Sequence, residues 1–252
     1  EQVLTVPMVF KTADGVEVIK TFSFKQGEYP IAVSHKIVNR SGQNWQGQMF
    51  GQLKRDNSED PGKSDQGIFT LGTFLGGAWG SPDEHYNKLK FANFNDEKLS
   101  VEAKGGWVAM VQHYFVSAWV PGELKLTQAE GQPFAAKLES RKSNDDMNII
   151  GFTSPTINVP AGTAAEVDAT FYSGPKIQSE LKDLAVGLNQ TVDYGWLWPI
   201  AKLLFLGLQF FHGLIGNWGW SIILLTVLVK LILWPLSSKS YRSMAKMRVI
   251  AP

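Results

Sequence analysis

The feature that most constrains this chain is a run of 19 residues, 218–236, that carries a single charge, Lys230. As an α-helix the run is about 28 Å long, which matches the hydrocarbon core of a bilayer. Its Ile, Leu and Val residues contribute about −3 to −7 kcal/mol to insertion, while a central lysine costs about +2.5 to +3.5 kcal/mol. The run is therefore predicted to cross a membrane as residues 218–236. Tryptophans at its two ends are predicted interfacial anchors: Trp218, Trp220 and Trp234.

Charge divides the chain near the same place. All 23 acidic residues and 18 of the 24 basic ones precede residue 194, and the 6 remaining basic residues follow with no acid. Four of those six come directly after the apolar run: Lys239, Arg242, Lys246 and Arg248. The positive-inside rule places this end, residues 237–252, in the cytoplasm, where it is predicted to start a helical region.

The segment before the run, residues 194–216, is apolar and aromatic except for one narrow stripe on the helical wheel. The stripe consists of Lys202, Gln209 and His212, and two further anchor tryptophans begin the segment: Trp196 and Trp198. Such an amphipathic helix is typical of the membrane interface, where it lies flat. A second full span is the rival interpretation, since the hydrophobicity permits it. A near-perpendicular arrangement with residues 218–236 favours the interface, and an antiparallel hairpin favours two spans.

The first 175 residues predict many short strands and an antiparallel β-sandwich. Asp14-Gly15 between two alternating runs predicts a β-hairpin over residues 4–24. Further strands are predicted at 31–38, 68–74, 107–120, 134–138, 147–152 and 166–172. Residues 54–67 are polar and rich in turn formers, which indicates a long surface loop.

Two helices are predicted beside the strands. Ser81 is the expected N-cap of a short helix that begins at Pro82. Ile177, Leu181, Leu184 and Leu188 recur at helical spacing, so residues 176–190 are predicted to form an amphipathic helix that packs on the β domain.

The residue pattern gives little support for an enzymatic function. The chain contains no cysteine, and His35, His85 and His113 each stand without a second ligand at metal spacing. The glycines at 71–77 lack the Lys-Ser/Thr ending of a phosphate loop. We therefore expect no catalytic residue, no metal and no cofactor.

Lys230 is the candidate functional residue, because a charge within a span has no partner in lipid. Thr226, Lys230 and Trp234 follow each other at intervals of four, which places a hydroxyl, an ammonium and an indole on one helix face. One-sided polarity favours a bundle interior or a wet cavity. Snorkelling of the lysine toward the headgroups is the alternative.

Several longer stretches resemble the YidC/Oxa/Alb family of membrane-protein insertases, in particular its bacterial branch. The resemblance covers nearly the whole chain. It lies in residues 191–198 (TVDYGWLW), 216–223 (GNWGWSII), 235–236 (PL) and 243–247 (SMAKM), with 81–84 (SPDE) and 105–110 (GGWVAM) similar to the family's periplasmic domain.

The resemblance implies a multi-pass protein of the bacterial inner membrane. Residues 1–193 would be periplasmic, with residues 1–175 forming part of a mutarotase-like supersandwich whose N-terminal part is missing. A hydrophilic, positively charged groove, open to cytoplasm and lipid, would receive nascent membrane proteins. Lys230 would take the position of the groove's customary arginine, without its bidentate fork, and Thr226 that of a hydroxyl residue one turn earlier.

The implied partners are nascent membrane proteins, the lipid bilayer, components of the Sec translocon and, for the full-length protein, the ribosome. Nucleic-acid binding is not expected. The fragment would lack the first and later spans, so it would not insert substrates alone. An alternative function is a membrane-anchored periplasmic carbohydrate-binding or mutarotase-like module. That function would require a constellation of histidine and carboxylates in a cleft, which the sequence does not suggest.

Overall fold

The β-hairpin predicted from Asp14-Gly15 is confirmed in the computed structural model. Strands β1 (Val3–Lys11) and β2 (Val16–Lys25) pair antiparallel, with Val3 opposite Lys25 and Lys11 opposite Glu17. Gly15 adopts a φ of +92°, which a side chain would disfavour. The structure describes residues 2–58, 74–96, 98–126, 130–192 and 198–250, and omits the side chains of Trp198, Ser243 and residues 245–250.

The remaining described strands follow in chain order, and every pairing among them is antiparallel. They are β3 (Pro30–Asn39), β4 (Trp45–Gly47), β5 (Phe50–Arg55), β6 (Gly76–Gly80), β7 (Asn87–Lys90), β8 (Ser100–Lys104), β9 (Trp107–Val111), β10 (Phe115–Leu126), β11 (Gln132–Pro133), β12 (Ala135–Lys142), β13 (Asn148–Thr153), β14 (Ile157–Val159) and β15 (Ala164–Pro175).

Two sheets form the predicted antiparallel sandwich. A nine-stranded sheet has the order β1-β2-β3-β15-β10-β9-β6-β7, with β11 beside β10, and a four-stranded sheet has the order β5-β13-β12-β8. A small β14-β4 ladder stands apart from them. The main core contains Val108 and Met110 of the large sheet together with Leu138, Ile150 and Phe152 of the small one. The mainly β fold class is therefore confirmed.

Strand β9 is buried on both faces, which explains its continuous apolar sequence. While Val108 and Met110 enter the core between the sheets, Trp107, Ala109 and Val111 belong to a second cluster with Leu181 and Leu188. The indole N–H of Trp107 donates a 2.8 Å hydrogen bond to the carbonyl oxygen of Val186. The segment after β15 thus covers the outer face of the large sheet.

That covering segment differs from the single helix predicted at 176–190. It forms a seven-residue helix, α1 (Gln178–Leu184), and then a 3₁₀ turn over Leu188–Thr191. Gly187 lies between them at φ +83°, a conformation that interrupts a right-handed helix.

The predicted helix at Pro82 is wrong. Residues 82–84 form a bend between β6 and β7, although Ser81 behaves as a cap: its Oγ accepts a 3.0 Å bond from the Glu84 N–H. The backbone N–H of Ser81 also donates to the Glu84 carbonyl oxygen, at 2.8 Å. The turn closes on itself, so no helix propagates.

Other differences from the predicted strands have clear causes. The run at 107–120 is two strands, β9 and β10, joined by a turn at residues 112–114. The first two residues of the predicted loop at 54–67 belong to β5, and most of that loop and of the predicted strand at 68–74 lies outside the described residues.

The chain divides after Asp193 into a β unit, Glu1–Asp193, and a helical unit, Tyr194–Pro252. The helical unit contains α2 (Trp198–Ile215) and α3 (Trp218–Ile250). Gly216 ends α2 in a left-handed conformation, φ +70°, and its N–H donates to the His212 carbonyl oxygen at 2.7 Å. Asn217 then starts α3: its Oδ1 accepts a 3.3 Å bond from the Trp220 N–H.

Candidate functional site

Helix α3 provides the frame of the candidate site. It extends for 33 residues, about 50 Å, and continues through Pro235. Within the described residues, Trp218–Arg242 is the one helical segment that is long and apolar enough to cross a membrane. The predicted span, 218–236, lies inside it.

The polar face of α3 consists of Thr226, Lys230 and Trp234, and all three residues are exposed. The Thr226 hydroxyl donates a 2.7 Å bond to the Ile222 carbonyl oxygen, so it does not remain a free donor in the membrane. The oxygen of that hydroxyl still offers an acceptor beside the Lys230 ammonium, one turn away.

This polar face points away from α2. The side of α3 that is covered contains Ser221, which is fully buried, and Leu225 and Val229, which are half-buried. At 100° per residue, Lys230 lies roughly 140° around the helix from Leu225. The face is therefore left open to groups other than α2.

Helices α2 and α3 lie side by side near their connection. The Leu225 Cδ1 is 3.1 Å from the place where a Cβ on Gly207 would be. Both residues are roughly 11–12 Å along their helices from the turn, so two perpendicular helices would separate them by about 16 Å. The packing is thus not the perpendicular arrangement expected for a flat interfacial helix, and the interfacial position of residues 194–216 stays a prediction.

The turn between the two helices holds contacts that sequence reasoning missed. The His212 imidazole stacks on the Trp218 indole, with 3.8 Å between ring centroids and 16° between planes. The Ser221 hydroxyl donates to the Asn217 carbonyl oxygen at 2.7 Å. Asn after Gly was the available signal, because this pair ends one helix and caps the next.

The predicted anchors are described in part. Trp218, Trp220 and Trp234 are 50%, 61% and 71% exposed, and their role as interfacial anchors stays a prediction. Trp196 lies outside the described residues, and the description of Trp198 is limited to its backbone at the start of α2. Lys239 and Arg242 are exposed on α3, whereas the side chains of Lys246 and Arg248 lie outside the description.

The β unit brings no catalytic constellation together among its described residues. His35 lies on β3, His85 in the turn before β7 and His113 in the turn before β10. Burial, reinforced by Lys20, lowers the pKa of His35 to about 4, so this histidine is neutral at ordinary pH. No group of three His, Asp or Glu side chains with metal-binding geometry occurs in the described part of the chain.

Fold and site together define a class of protein: a β-sandwich domain joined to a helix that can cross a membrane. Two family models match the two parts of the chain, with their border inside α2. The YidC periplasmic domain matches residues 1–206, and the 60Kd inner membrane protein family matches residues 210–252. The chain belongs to the YidC family of inner-membrane proteins. Its β unit is accordingly a periplasmic domain.

Curated relatives agree with this membership. A protein named membrane protein insertase YidC from Pseudomonas putida is 49% identical over 239 residues, covering 95% of this chain and 41% of the relative. The protein of the same name from Stutzerimonas stutzeri is 47% identical over 241 residues, covering 96% and 41%. This chain spans about two fifths of the length of these relatives.

The solved structures that resemble this chain have low sequence identity and low TM-scores. A putative aldose 1-epimerase from Klebsiella pneumoniae is 9% identical, with 75% of this chain and 53% of that chain covered at a TM-score of 0.35. A GH36 α-galactosidase from Geobacillus stearothermophilus is 10% identical, with 75% and 25% covered at a TM-score of 0.43. Likenesses at these scores carry no functional argument.

Proposed function

We propose that the full-length protein inserts nascent membrane proteins into the inner membrane without enzymatic chemistry, as its relatives' name, membrane protein insertase, suggests. The observation that carries the proposal is the exposed face of Thr226, Lys230 and Trp234 on the candidate span. A lysine in a span needs hydration or a partner, and lipid supplies neither. Helices from the rest of the protein would complete a hydrophilic groove on this side.

The groove would work by reducing a desolvation cost. Moving the polar or acidic tail of a substrate into hydrocarbon costs several kcal/mol for each unpaired group. A hydrated cavity with a positive charge offsets much of that cost part of the way across the bilayer. Hydrophobic partition of the substrate's own span would then complete the transfer, and no covalent step, nucleotide or metal is required.

Topology supports the placement of Lys230 near the cytoplasmic side. With the β unit periplasmic and the basic residues after 236 cytoplasmic, α2 and α3 together cross the membrane once. Since α3 is the candidate span, α2 does not cross. It would turn away from α3 at Gly216-Asn217 and lie at the interface when the bilayer is present. Lys230, six residues before Leu236, would then lie about 9 Å of helix from the cytoplasmic end of the predicted span.

The proposed partners follow from this role. Nascent membrane proteins would contact the Thr226–Lys230 face, while the bilayer surrounds the apolar sides of α3. Docking on the Sec translocon and on a translating ribosome are further partner proposals for the full-length protein. Both would require surfaces beyond the polar face of α3.

Site-specific photocrosslinking in the full-length protein tests the proposal. A photoreactive residue at Thr226 is expected to crosslink to a ribosome-bound nascent membrane protein. The matched control is Leu231, which is 64% exposed but lies roughly 140° around the same helix. Equal crosslinking at both positions, or none at Thr226, would contradict the groove.

A further inference from the structure

One end of the nine-stranded sheet carries exposed aromatic side chains. Tyr114 and Phe115, in the turn before β10 and at its start, are 67% and 54% exposed, and Tyr29, next to the start of β3, is 41% exposed. Phe115 is paired with Pro175, the last residue of β15, and the ring of Tyr29 lies against Gly174. We call Tyr29, Tyr114 and Phe115 the aromatic rim.

A backbone hydrogen bond joins two of the chain segments that meet at the rim. The Lys176 N–H donates a 3.0 Å bond to the Tyr114 carbonyl oxygen, which ties the β9–β10 turn to the end of β15. The His113 ring contacts the Tyr114 ring edge-on, with centroids 4.0 Å apart. The turn that carries Tyr114 is therefore joined to the end of β15, while the three aromatic side chains remain exposed to solvent.

The chain leaves the β unit at this same edge. A cavity of about 340 Å³ is lined by Tyr114 and His113 together with Val192, the last described residue of the unit. Residues 193–197 alone separate Val192 from the first residue of α2, Trp198, and these six residue steps extend over at most about 22 Å. The rim is thus the part of the β unit from which the polypeptide reaches its membrane helices.

Tyrosine and phenylalanine at such a position fit a phospholipid surface. Tyr and Trp concentrate at the headgroup level because their rings are apolar while their polar atoms stay hydrated. We propose that the aromatic rim rests on the periplasmic leaflet, with the Tyr114 and Phe115 rings among the headgroups. The proposal depends on the periplasmic and membrane location of the chain and not on the insertion groove.

Quenching by labelled lipids tests the rim. The chain contains no cysteine, so Tyr114→Cys and Phe115→Cys each accept one environment-sensitive fluorophore. The matched control, Ala161→Cys, is exposed in the turn before β15, about 36 Å away at the other end of that 12-residue strand. Each labelled chain is reconstituted in phosphatidylcholine nanodiscs, with and without headgroup-nitroxide lipid.

We expect the nitroxide lipid to quench the label at position 114 or 115 strongly and to leave the label at 161 unchanged. Iodide in the aqueous phase should show the reverse order. Absence of lipid quenching at both rim positions would overturn the proposal. Equal quenching at 161 would also overturn it, because the β unit would then have no preferred side toward the membrane.

Discussion

Two glycines in the β unit share a left-handed backbone but not their surroundings. Gly187 and Gly162 have φ values of +83° and +76°, yet nothing lies within 4 Å of a Cβ built on Gly162. A Cβ on Gly187 would collide with the carbonyl oxygen of His85. A comparison of the two positions therefore distinguishes the cost of a left-handed backbone from the cost of a steric collision.

Alanine at these two positions should have unequal effects on stability. Gly162→Ala is expected to cost about 1–2 kcal/mol, the usual penalty of a left-handed alanine. Gly187→Ala should cost clearly more, since the turn between α1 and the 3₁₀ segment must also move away from His85. Urea denaturation of both variants measures the difference. Equal losses would show that the contact with His85 relaxes freely.

His35 should make stability depend on pH. Burial and Lys20 lower its pKa to about 4 in the folded protein, and its Nδ1 has no hydrogen-bond partner among the described residues. The unfolded chain binds the proton near pH 6.5, so stability is highest above that pH and falls as the pH drops toward about 4. Below pH 4 this contribution levels off.

His35→Gln removes the titrating group and isolates its effect. The difference in urea midpoint between pH 7 and pH 5 should be smaller for the variant than for the original chain. The carboxylates contribute equally to both proteins and cancel in the comparison. An unchanged difference would assign the pH dependence to other groups.

At the scale of elements, the strands that could be predicted from the sequence are those marked by alternating apolar residues or by turn-forming residues beside them. Asp14-Gly15 specifies its hairpin, and β3, β12, β13 and β15 overlap the predicted runs. Strands such as β6, Gly76–Gly80, were missed because glycine carries no strand signal, and its place in the sheet depends on partners β7 and β9. Ser81 caps a closed turn and not a helix. The reason is tertiary, because the chain must reverse between Gly80, the end of β6, and Asn87, the start of β7.

Part of the candidate site could also be predicted from the sequence. Helical spacing alone places Thr226, Lys230 and Trp234 on one face of α3. The sequence could not give the direction of that face relative to α2, because the contact of Gly207 with Leu225 depends on tertiary packing. The stack of His212 on Trp218 likewise depends on the turn geometry set by Gly216.

The position of α2 gives a prediction that cysteine labelling can test. If α2 lies at the periplasmic interface, Lys202→Cys and Gln209→Cys on its polar stripe should both react with an impermeant maleimide added to spheroplasts. The experiment uses the full-length protein with any native cysteines replaced. Ser240→Cys, exposed beyond the span, should react only after permeabilisation.

A transmembrane α2 gives a different labelling pattern. Lys202→Cys and Gln209→Cys are about 10 Å apart along the helix, so a spanning helix would bury at least one of them from water. Protection of either residue in spheroplasts would favour the two-span hairpin and contradict the proposed single crossing.

At the scale of the whole molecule, the near-neutral net charge of +1 hides two environments. The acids are confined to the stretch before residue 194, which contains the periplasmic unit, and the last six basic residues belong to the membrane and tail segments. The division in charge, at residue 194, lies 12 residues before the end of the first family match, which covers residues 1–206. Lys230 is the one basic residue of the six that falls inside the predicted span, 218–236.

The most direct test of the account is insertion by full-length protein that carries Lys230→Ala or Lys230→Arg. The substrates are a membrane protein with an acidic translocated tail and a matched version with a neutral tail. We predict that Lys230→Ala impairs insertion of the acidic-tailed substrate more than that of the neutral one, because the groove loses its charge, while Lys230→Arg retains both. Wild-type insertion of every substrate by the Lys230→Ala protein would contradict the account and leave Lys230 as a lysine that merely snorkels to the headgroups.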